Sequence, residues 1–293
     1  MAALIQPSTL AALLREATPP LLFDASWHLP SAQRDARAEF QAKHIEGARF
    51  FNLDAFCDTS HPLPNMLSKD SNHLAQQLGL QGIERQHRIV FYDNSTLRTS
   101  CRAYWILRIA GHPIENIAIL NGGLTTWEKY SGKTTADILP IIPTTYQPNY
   151  QPQLICDLND VKSALKQNSA QIIDLRHPVR FAGGPELRPG LRQGHIPHSF
   201  SFPYLSFTSL HDGLFFSIEK IRKNLTEIGV NLNAPIISTC GSGMSAPILN
   251  FFLSLMKHPA HRLYDGSWTE WGAATCYPGE TDLSERPVAT CLE

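Results

Sequence analysis

Cys240 stands between an apolar segment and a short loop rich in glycine and serine. The segment covers residues 235–239, the loop covers residues 241–245, and an apolar run typical of a buried helix begins at Ile248. Backbone N–H groups in such a loop can converge on an anion, and the helix N-terminus adds partial positive charge. Both effects favour the thiolate, the reactive form of cysteine. The pattern predicts a nucleophilic thiol; the alternative is a cysteine that only packs behind a core strand.

Three short motifs recur in the second half of the chain: Asp24 corresponds to Asp174, His44 to His195, and Asn121 to Asp265. Within each copy, short β-branched runs alternate with helical patterns, which is typical of a parallel sheet covered by helices on both faces. We therefore predict an α/β protein of two tandem domains. The first covers residues 1–135, the second covers residues 154–293, and a proline-rich linker over residues 136–153 joins them.

The two copies differ at the position that matters most for chemistry. Aligning the strand that ends before Asp93 with the strand that ends before Cys240 places a carboxylate where the second copy has its thiol. A carboxylate cannot accept a sulfur atom and repels an anionic substrate. We therefore expect the first domain to be non-catalytic, and we interpret Cys101, inside the next predicted helix, as a packing residue.

Size and composition exclude several classes of protein. A chain of 293 residues is long enough for two domains, and a formal net charge of −1 argues against a general nucleic-acid binder. The six cysteines show no paired spacing, so we expect neither a disulfide framework nor a zinc site, and no cofactor. No apolar run approaches the ~20 residues that span a bilayer. With no recognisable signal or transit peptide, we expect a cytoplasmic monomer.

Residues 240–245, Cys-Gly-Ser-Gly-Met-Ser, closely resemble the active loop of the rhodanese superfamily, and in particular that of its 3-mercaptopyruvate sulfurtransferases. Further matching motifs follow the family's order in both halves of the chain: residues 24–27, 44–48, 180–190, 194–197 and 264–271. The resemblance spans nearly the whole chain. It implies two tandem rhodanese-like domains, of which the second is catalytic.

The resemblance implies an activity centred on Cys240. Sulfur would pass from 3-mercaptopyruvate to Cys240 as a persulfide, pyruvate would leave, and a thiol acceptor such as thioredoxin, or cyanide, would take the sulfur. The backbone N–H groups of Gly241, Gly243, Met244 and Ser245 would then stabilise the persulfide anion.

Two arginines occupy the family's substrate-binding positions. Arg180 and Arg188 would bind the carboxylate of the donor, because a guanidinium matches a carboxylate with two parallel hydrogen bonds. The alternative is that both are solvated loop residues. Arg176 and Arg192 are the next candidates on the same loop, and we expect them to pair with Asp174 or to face water.

Ser242 is the first hydroxyl after the thiol and is expected to relay or donate a proton to the departing enolate. In the family, a serine here works with a histidine and an acidic residue from the first domain. Asp54 matches the acidic position, but Asn65 stands where the histidine is expected, and an amide cannot act as a general base. His61 is a substitute close in sequence; the other possibility is proton transfer through Ser242 and water.

Three other functions are compared with this one. A phosphatase on the same fold needs an arginine six residues after the cysteine, and Ala246 occupies that position. A thiosulfate:cyanide sulfurtransferase would favour cations in the loop, where Gly241 and Ser242 offer none. A sulfur carrier or redox sensor without turnover would use the same thiol.

Overall fold

The computed structural model describes residues 1–291, so the last two residues of the predicted 154–293 domain lie outside the described residues. The chain divides into two compact units. The first contains residues 1–57, 68–151 and 209–215, and the second contains residues 58–67, 152–208 and those from 216 onward. Each unit thus includes a short segment from the opposite half of the sequence. The linear domain boundaries stay a prediction.

The first unit alternates strands with helices, as the periodicity predicts. Its strands are β1 (Leu4–Ile5), β2 (Leu21–Asp24), β3 (His44–Ile45), β4 (Arg49–Phe50), β5 (Ile89–Tyr92), β6 (Ile117–Leu120) and β7 (Thr134–Thr135). Its helices are α1 (Pro7–Leu13), α2 (Ala36–Ala42), α3 (Ser71–Leu80), α4 (Ser100–Ile109) and α5 (Gly123–Lys129).

The second unit repeats this pattern. Its strands are β8 (Ile155–Cys156), β9 (Gln171–Asp174), β10 (Phe200–Ser201), β11 (Ile236–Thr239) and β12 (His261–Tyr264). Its helices are α6 (Leu158–Gln167), α7 (Pro178–Phe181), α8 (Ile218–Glu227), α9 (Pro247–Leu255) and α10 (Ser267–Trp271).

Among the described residues, each unit is built on a five-stranded parallel sheet. The strand order is β1-β6-β5-β2-β4 in the first unit and β8-β12-β11-β9-β10 in the second, so equivalent strands occupy equivalent places. The central strands β5 and β11 are buried at every residue. Continuous burial with helices on both faces is typical of parallel sheets. The predicted α/β class is confirmed.

The recurring histidines have the same structural role in both units. His44 stacks on Phe40 with ring centroids 4.0 Å apart, and His195 stacks on Phe181 at 3.8 Å. Each histidine also places Nδ1 2.7 Å from the carbonyl oxygen of the phenylalanine on which it stacks. Since one of these histidines belongs to the half that has no cysteine equivalent to Cys240, this packing explains the recurrence of the histidines without catalysis.

Each unit contains one segment from the opposite half of the sequence, here called its borrowed segment: residues 209–215 in the first unit and residues 58–67 in the second. Both borrowed segments are bound at the same motif position. In the first unit, the backbone N–H of Phe215 donates to Asn121 Oδ1 at 2.9 Å; in the second, that of Leu67 donates to Asp265 Oδ2 at 2.6 Å. Asn121 and Asp265 each follow the last residue of an equivalent strand, β6 or β12, and both are buried. One polar side chain per unit therefore anchors a segment that is distant in sequence.

Residues 136–151 form neither helix nor strand, in keeping with their proline content. The N–H of Thr144 donates to Gly79 O, and that of Asn149 donates to Ala110 O, each at 2.9 Å. A methyl group on Gly79 would lie 2.4 Å from Thr144 O, so this close approach requires glycine. The segment is held along the first unit by its backbone.

Within residues 1–291, every helix is too short or too polar to span a bilayer.

A buried ion cluster anchors the C-terminal segment of the second unit. Arg286 is fully buried, donates to the carbonyl oxygens of Trp271 and Ala273, and binds Glu280 through Nε at 2.9 Å. Lys162 of α6 reaches the same carboxylate at 2.7 Å. Burial alone would raise the pKa of Glu280, but hydrogen bonds from Arg286 and Lys162 outweigh it and lower that pKa from 4.5 to about 2. Glu280 therefore stays ionised well below the pH at which a free glutamate is protonated.

We expect Glu280→Gln to lower the free energy of unfolding at neutral pH by about 1–3 kcal/mol, since it leaves buried Arg286 without its carboxylate partner and Lys162 with only Glu285. The depressed pKa stabilises the fold above pH 4.5, and this contribution is lost as the pH falls toward 2. Urea unfolding across that range should show the difference from wild type shrinking with acid. Glu227→Gln, on the exposed face of α8, is the matched control; an equal loss there would contradict the assignment.

Candidate functional site

Cys240 directly follows β11, the middle strand of the second sheet. The loop that it opens ends at Pro247, the first residue of the buried helix α9. Proline suits this position because the first helical N–H has no partner within the helix. The thiol therefore lies at the carboxyl edge of the sheet and beside a helix N-terminus, where open parallel sheets bind ligands. Its residue is 3% exposed.

The loop amides divide into two groups. The N–H groups of Cys240 and Gly243 both donate to Ser267 Oγ at 3.1 Å. The sequence predicted that the Gly243 N–H would face the sulfur of Cys240; instead it binds this side chain. The N–H groups of Gly241, Ser242, Met244 and Ser245 are bonded to no acceptor within residues 1–291. The second group is the one that remains for an anion held by Cys240.

Arg188 contacts the loop directly. Its Nη1 donates to Gly241 O and its Nη2 to Ser242 Oγ, each at 3.3 Å, and neither partner carries a charge. Burial lowers the pKa of Arg188, the nearby Arg180 lowers it further, and the Cys240 thiol opposes the shift. A half-buried guanidinium bound to neutral partners is a strong site for an incoming anion.

Arg180 approaches the same loop but is already paired. A methyl group on Gly241 would lie 3.7 Å from Arg180 Nη1 and 3.6 Å from Arg188 Nη2, so both guanidiniums lie beside this residue. Arg180 Nη2 lies 2.7 and 2.6 Å from the two carboxylate oxygens of Glu186, whose side chain is only 3% exposed. A substrate carboxylate must share Arg180 with Glu186 or replace it.

Arg176 lies deeper and has a structural role. Its Nη2 lies 2.7 Å from Asp174 Oδ2, with both side chains 1% exposed, and its guanidinium lies 4.0 Å from the ring centroid of Trp268. The predicted pairing of Arg176 with Asp174 is therefore present. Trp268 and Trp271 are buried in the core of this unit.

Of the predicted relay, the structure brings Ser242 and Asn65 together. Asn65 Nδ2 donates to Ser242 Oγ at 3.0 Å. Asn65 and His61 both belong to the borrowed segment 58–67, but His61 Nδ1 accepts the N–H of Leu63 at 3.1 Å within its own turn. Asp54 belongs to the first unit, where it accepts a hydrogen bond from Trp27.

The other cysteines have different environments. Cys101 and Cys156 are buried, and burial raises the pKa of both thiols well above its usual range. Cys57 is half-buried, and Cys276 and Cys291 are exposed. No cluster of three or more His, Cys, Asp or Glu residues suited to a metal ion occurs in the described part of the chain.

Two residues of the site, Glu186 and Ser267, lie within the motifs that match the family, but the sequence alone assigned no function to either. Glu186 precedes Arg188 by two residues, and an acid between two arginines is a signal for pairing. Ser267 is 27 positions from Cys240, and only the ladder between β11 and β12 brings them together. The assembled site thus holds a thiol, free loop amides and two cations. It suits nucleophilic attack on a small anionic substrate.

Comparisons with known proteins agree with this geometry. A family model described as a rhodanese-like domain matches residues 7–130 and 157–274. Human 3-mercaptopyruvate sulfurtransferase is 36% identical over 260 residues, which cover 88% of this chain and 86% of that protein. Chicken thiosulfate sulfurtransferase is 34% identical over 252 residues, which cover 85% of each.

A solved structure is similar over almost the same extent. SseA from Escherichia coli, one of the 3-mercaptopyruvate sulfotransferases, superposes with a TM-score of 0.80 at 28% sequence identity. The match covers 92% of this chain and all of that one.

The charges around Cys240 predict a preference for anionic alkylating agents. The measured quantity is the rate of alkylation by iodoacetate divided by the rate with neutral iodoacetamide. We expect this ratio to be higher for Cys240 than for exposed Cys276. Arg188→Gln should lower that ratio about three- to tenfold, and Glu186→Gln should raise it by a similar factor, because each changes one charge close to the thiol. Mass spectrometry of the labelled peptides separates the cysteines.

Arg222→Gln is the charge-matched control, because Arg222 is exposed on α8. An unchanged ratio in Arg188→Gln, or an equal change in the control, would remove Arg188 from the anion site.

Proposed function

The chain belongs to the rhodanese-like family, and on that premise we propose that it is a sulfurtransferase that takes sulfur from 3-mercaptopyruvate. Cys240 carries the sulfur as a persulfide and passes it to a thiol acceptor. The observation that supports this most directly is the setting of Cys240, between unengaged loop amides and the guanidiniums of Arg180 and Arg188. The reaction is a displacement at sulfur and needs no cofactor.

In the first half-reaction, the Cys240 thiolate attacks the sulfur of 3-mercaptopyruvate. A sulfur–sulfur bond forms, the carbon–sulfur bond breaks, and its electron pair passes to carbon as the enolate of pyruvate. The proton of the donor thiol ends on that carbon, so the products are pyruvate and a Cys240 persulfide anion. The N–H groups of Gly241, Ser242, Met244 and Ser245 stabilise the anion as it forms.

Ser242 supplies the route for that proton. Its oxygen accepts from Asn65 Nδ2 at 3.0 Å and from Arg188 Nη2 at 3.3 Å, which directs its own proton away from both donors. The hydroxyl can then donate to the enolate and be reprotonated from the sulfur side or from water. In this scheme Asn65 orients the serine, and no histidine base is required.

In the second half-reaction, a dithiol attacks the outer sulfur of the persulfide. The dithiol becomes a disulfide, hydrosulfide leaves, and Cys240 is regenerated; cyanide in its place gives thiocyanate. A thioredoxin-like dithiol has the required chemistry. We propose that the protein acts as a cytoplasmic monomer, a location whose reducing conditions keep Cys240 available.

Thiosulfate is the second candidate donor, and the similarity to chicken thiosulfate sulfurtransferase supports it. Thiosulfate carries two negative charges, and the loop itself has neutral Gly241 and Ser242 after the thiol. Glu186 further reduces the positive charge available at Arg180. Both features favour the carboxylate donor, with thiosulfate as a slower substrate.

Steady-state kinetics test the proposal. With 3-mercaptopyruvate and a dithiol, we expect many equivalents of pyruvate per chain, one added sulfur on Cys240 in the loaded protein, and no turnover in Cys240→Ser, because the nucleophile is lost. Cys57→Ser is the matched control and should retain activity. At most one equivalent of pyruvate per chain would identify a carrier or sensor, and faster turnover with thiosulfate would reverse the order of donors.

Asn65→Gly tests the proposed proton route. Asn65 has φ 62°, so glycine keeps the backbone while removing the amide. We expect kcat with 3-mercaptopyruvate to fall about ten- to hundredfold, because Ser242 is no longer oriented. KM, and kcat with thiosulfate, should change less than about twofold, because thiosulfate leaves no enolate to protonate.

Asn168→Gly is the control for Asn65→Gly, since Asn168 has φ 50° at the end of α6, outside the site. Equal losses with both donors would show that Asn65 supports the loop and not proton transfer.

A further inference from the structure

The loops that follow the two central strands are equivalent but are held differently. In the first unit the loop runs from Asp93 to the start of α4, and in the second it runs from Cys240 to the start of α9; both contain seven residues. Each loop leaves several backbone N–H groups that need acceptors. The residue that supplies the acceptor is what distinguishes the two.

In the first unit, the residue at the strand end itself accepts two of the loop N–H groups, while Ser26 Oγ accepts that of Asn94 at 2.7 Å. The Asp93 carboxylate accepts the N–H groups of Ser95 and Ser100 at 3.0 Å each, and the Ser100 hydroxyl at 2.5 Å. Asp93 is buried and is fully used in this role. A residue that holds its own loop in this way is not available for chemistry.

In the second unit, the acceptor comes from another element. Ser267 Oγ accepts the N–H groups of Cys240 and Gly243, and α10 begins at Ser267. Gly123 is the equivalent residue of the first unit: the N–H that follows it donates to Asp93 O at 3.1 Å, as that of Trp268 donates to Cys240 O at 3.0 Å. The hydroxyl is present only in the unit that has the thiol.

The Ser267 hydroxyl is fully occupied by backbone groups. It donates its proton to Tyr264 O at 2.8 Å and accepts two N–H groups, while its oxygen lies 4.0 Å from Cys240 Sγ. A hydroxyl has one proton and two lone pairs, so none remains for the sulfur. Its effect on Cys240 passes through the backbone of the loop.

The backbone conformation of Ser267 is one that serine adopts only at a cost in free energy. Ser267 has φ 52° and is fully buried, whereas Gly123 has φ 60°. A left-handed backbone favours glycine and costs a serine on the order of 1 kcal/mol. A residue held in an unfavourable conformation at a site is a reason to look for function.

We propose that Ser267 is a positioning residue for sulfur transfer, which holds the Cys240 loop from outside and so leaves the thiol and the remaining loop amides free for the persulfide. This inference rests on the proposed function for its meaning. The geometry on which it depends, however, can be tested on the thiol alone. The two tests therefore have separate readouts.

Ser267→Gly is the informative variant, because it removes the hydroxyl and relieves the left-handed backbone. We expect its fold to be retained, with kcat about tenfold lower and KM changed less than about twofold. Alkylation of Cys240 by iodoacetamide at neutral pH should become about tenfold slower as the amides lose their alignment. Ser267→Ala should behave alike, and thermal unfolding checks that both variants are folded.

Ser254→Ala is the matched control, because it also removes a serine hydroxyl that donates to a backbone carbonyl, here Asn250 O, away from the loop. It should match wild type in both measurements. If Ser267→Gly and Ser267→Ala alkylate and turn over like wild type, the inference is overturned and the sulfurtransferase proposal stands. If wild type forms no persulfide, the sulfurtransferase proposal fails, while slower alkylation of Cys240 in Ser267→Gly still supports the positioning of the loop.

Discussion

Backbone N–H groups at the start of a buried helix need acceptors, and this requirement governs the loops that follow β5 and β11. In the first unit the Asp93 carboxylate accepts two of these N–H groups from within the loop. In the second unit Ser267 meets part of it from α10, and four N–H groups keep no acceptor among the described residues. The two copies of the fold therefore hold this loop through different residues, and the copy that carries Cys240 leaves its loop ready to bind an anion.

The net charge around the Cys240 loop is set by three arginines and the two carboxylates that pair with them. Arg176 is neutralised by Asp174, Arg180 is shared with Glu186, and Arg188 donates to neutral oxygens beside Cys240. The net effect is about one unpaired positive charge next to a thiolate and an incoming carboxylate. This amount favours a singly charged donor over a doubly charged one.

The sequence predicted the parts of the molecule that depend on local pattern. Buried β-branched runs such as Ile236–Thr239 and the glycine-rich loop after them defined the sheet, the thiol and the helix start. The role of Ser267 was not predictable, because it depends on a contact that only tertiary structure creates. The pairing of Glu186 with Arg180 was predictable, because an acid stands between two arginines in the sequence. The exchange of segments 58–67 and 209–215 also gave no local signal, since it depends on buried Asn121 and Asp265.

That exchange explains how a chain without the expected histidine can still orient its serine. Asp265 anchors Leu67, and two residues earlier Asn65 meets Ser242. Asp265 also lies two residues before Ser267, so one turn after β12 holds both the segment that carries Asn65 and the hydroxyl that fixes the Cys240 loop. Because a single turn sets both positions, a shift of β12 would disturb the thiol and its neighbouring hydroxyl together. The pairing of β11 with β12 therefore sets the relative positions of the residues that follow these strands, including Cys240 and Ser267.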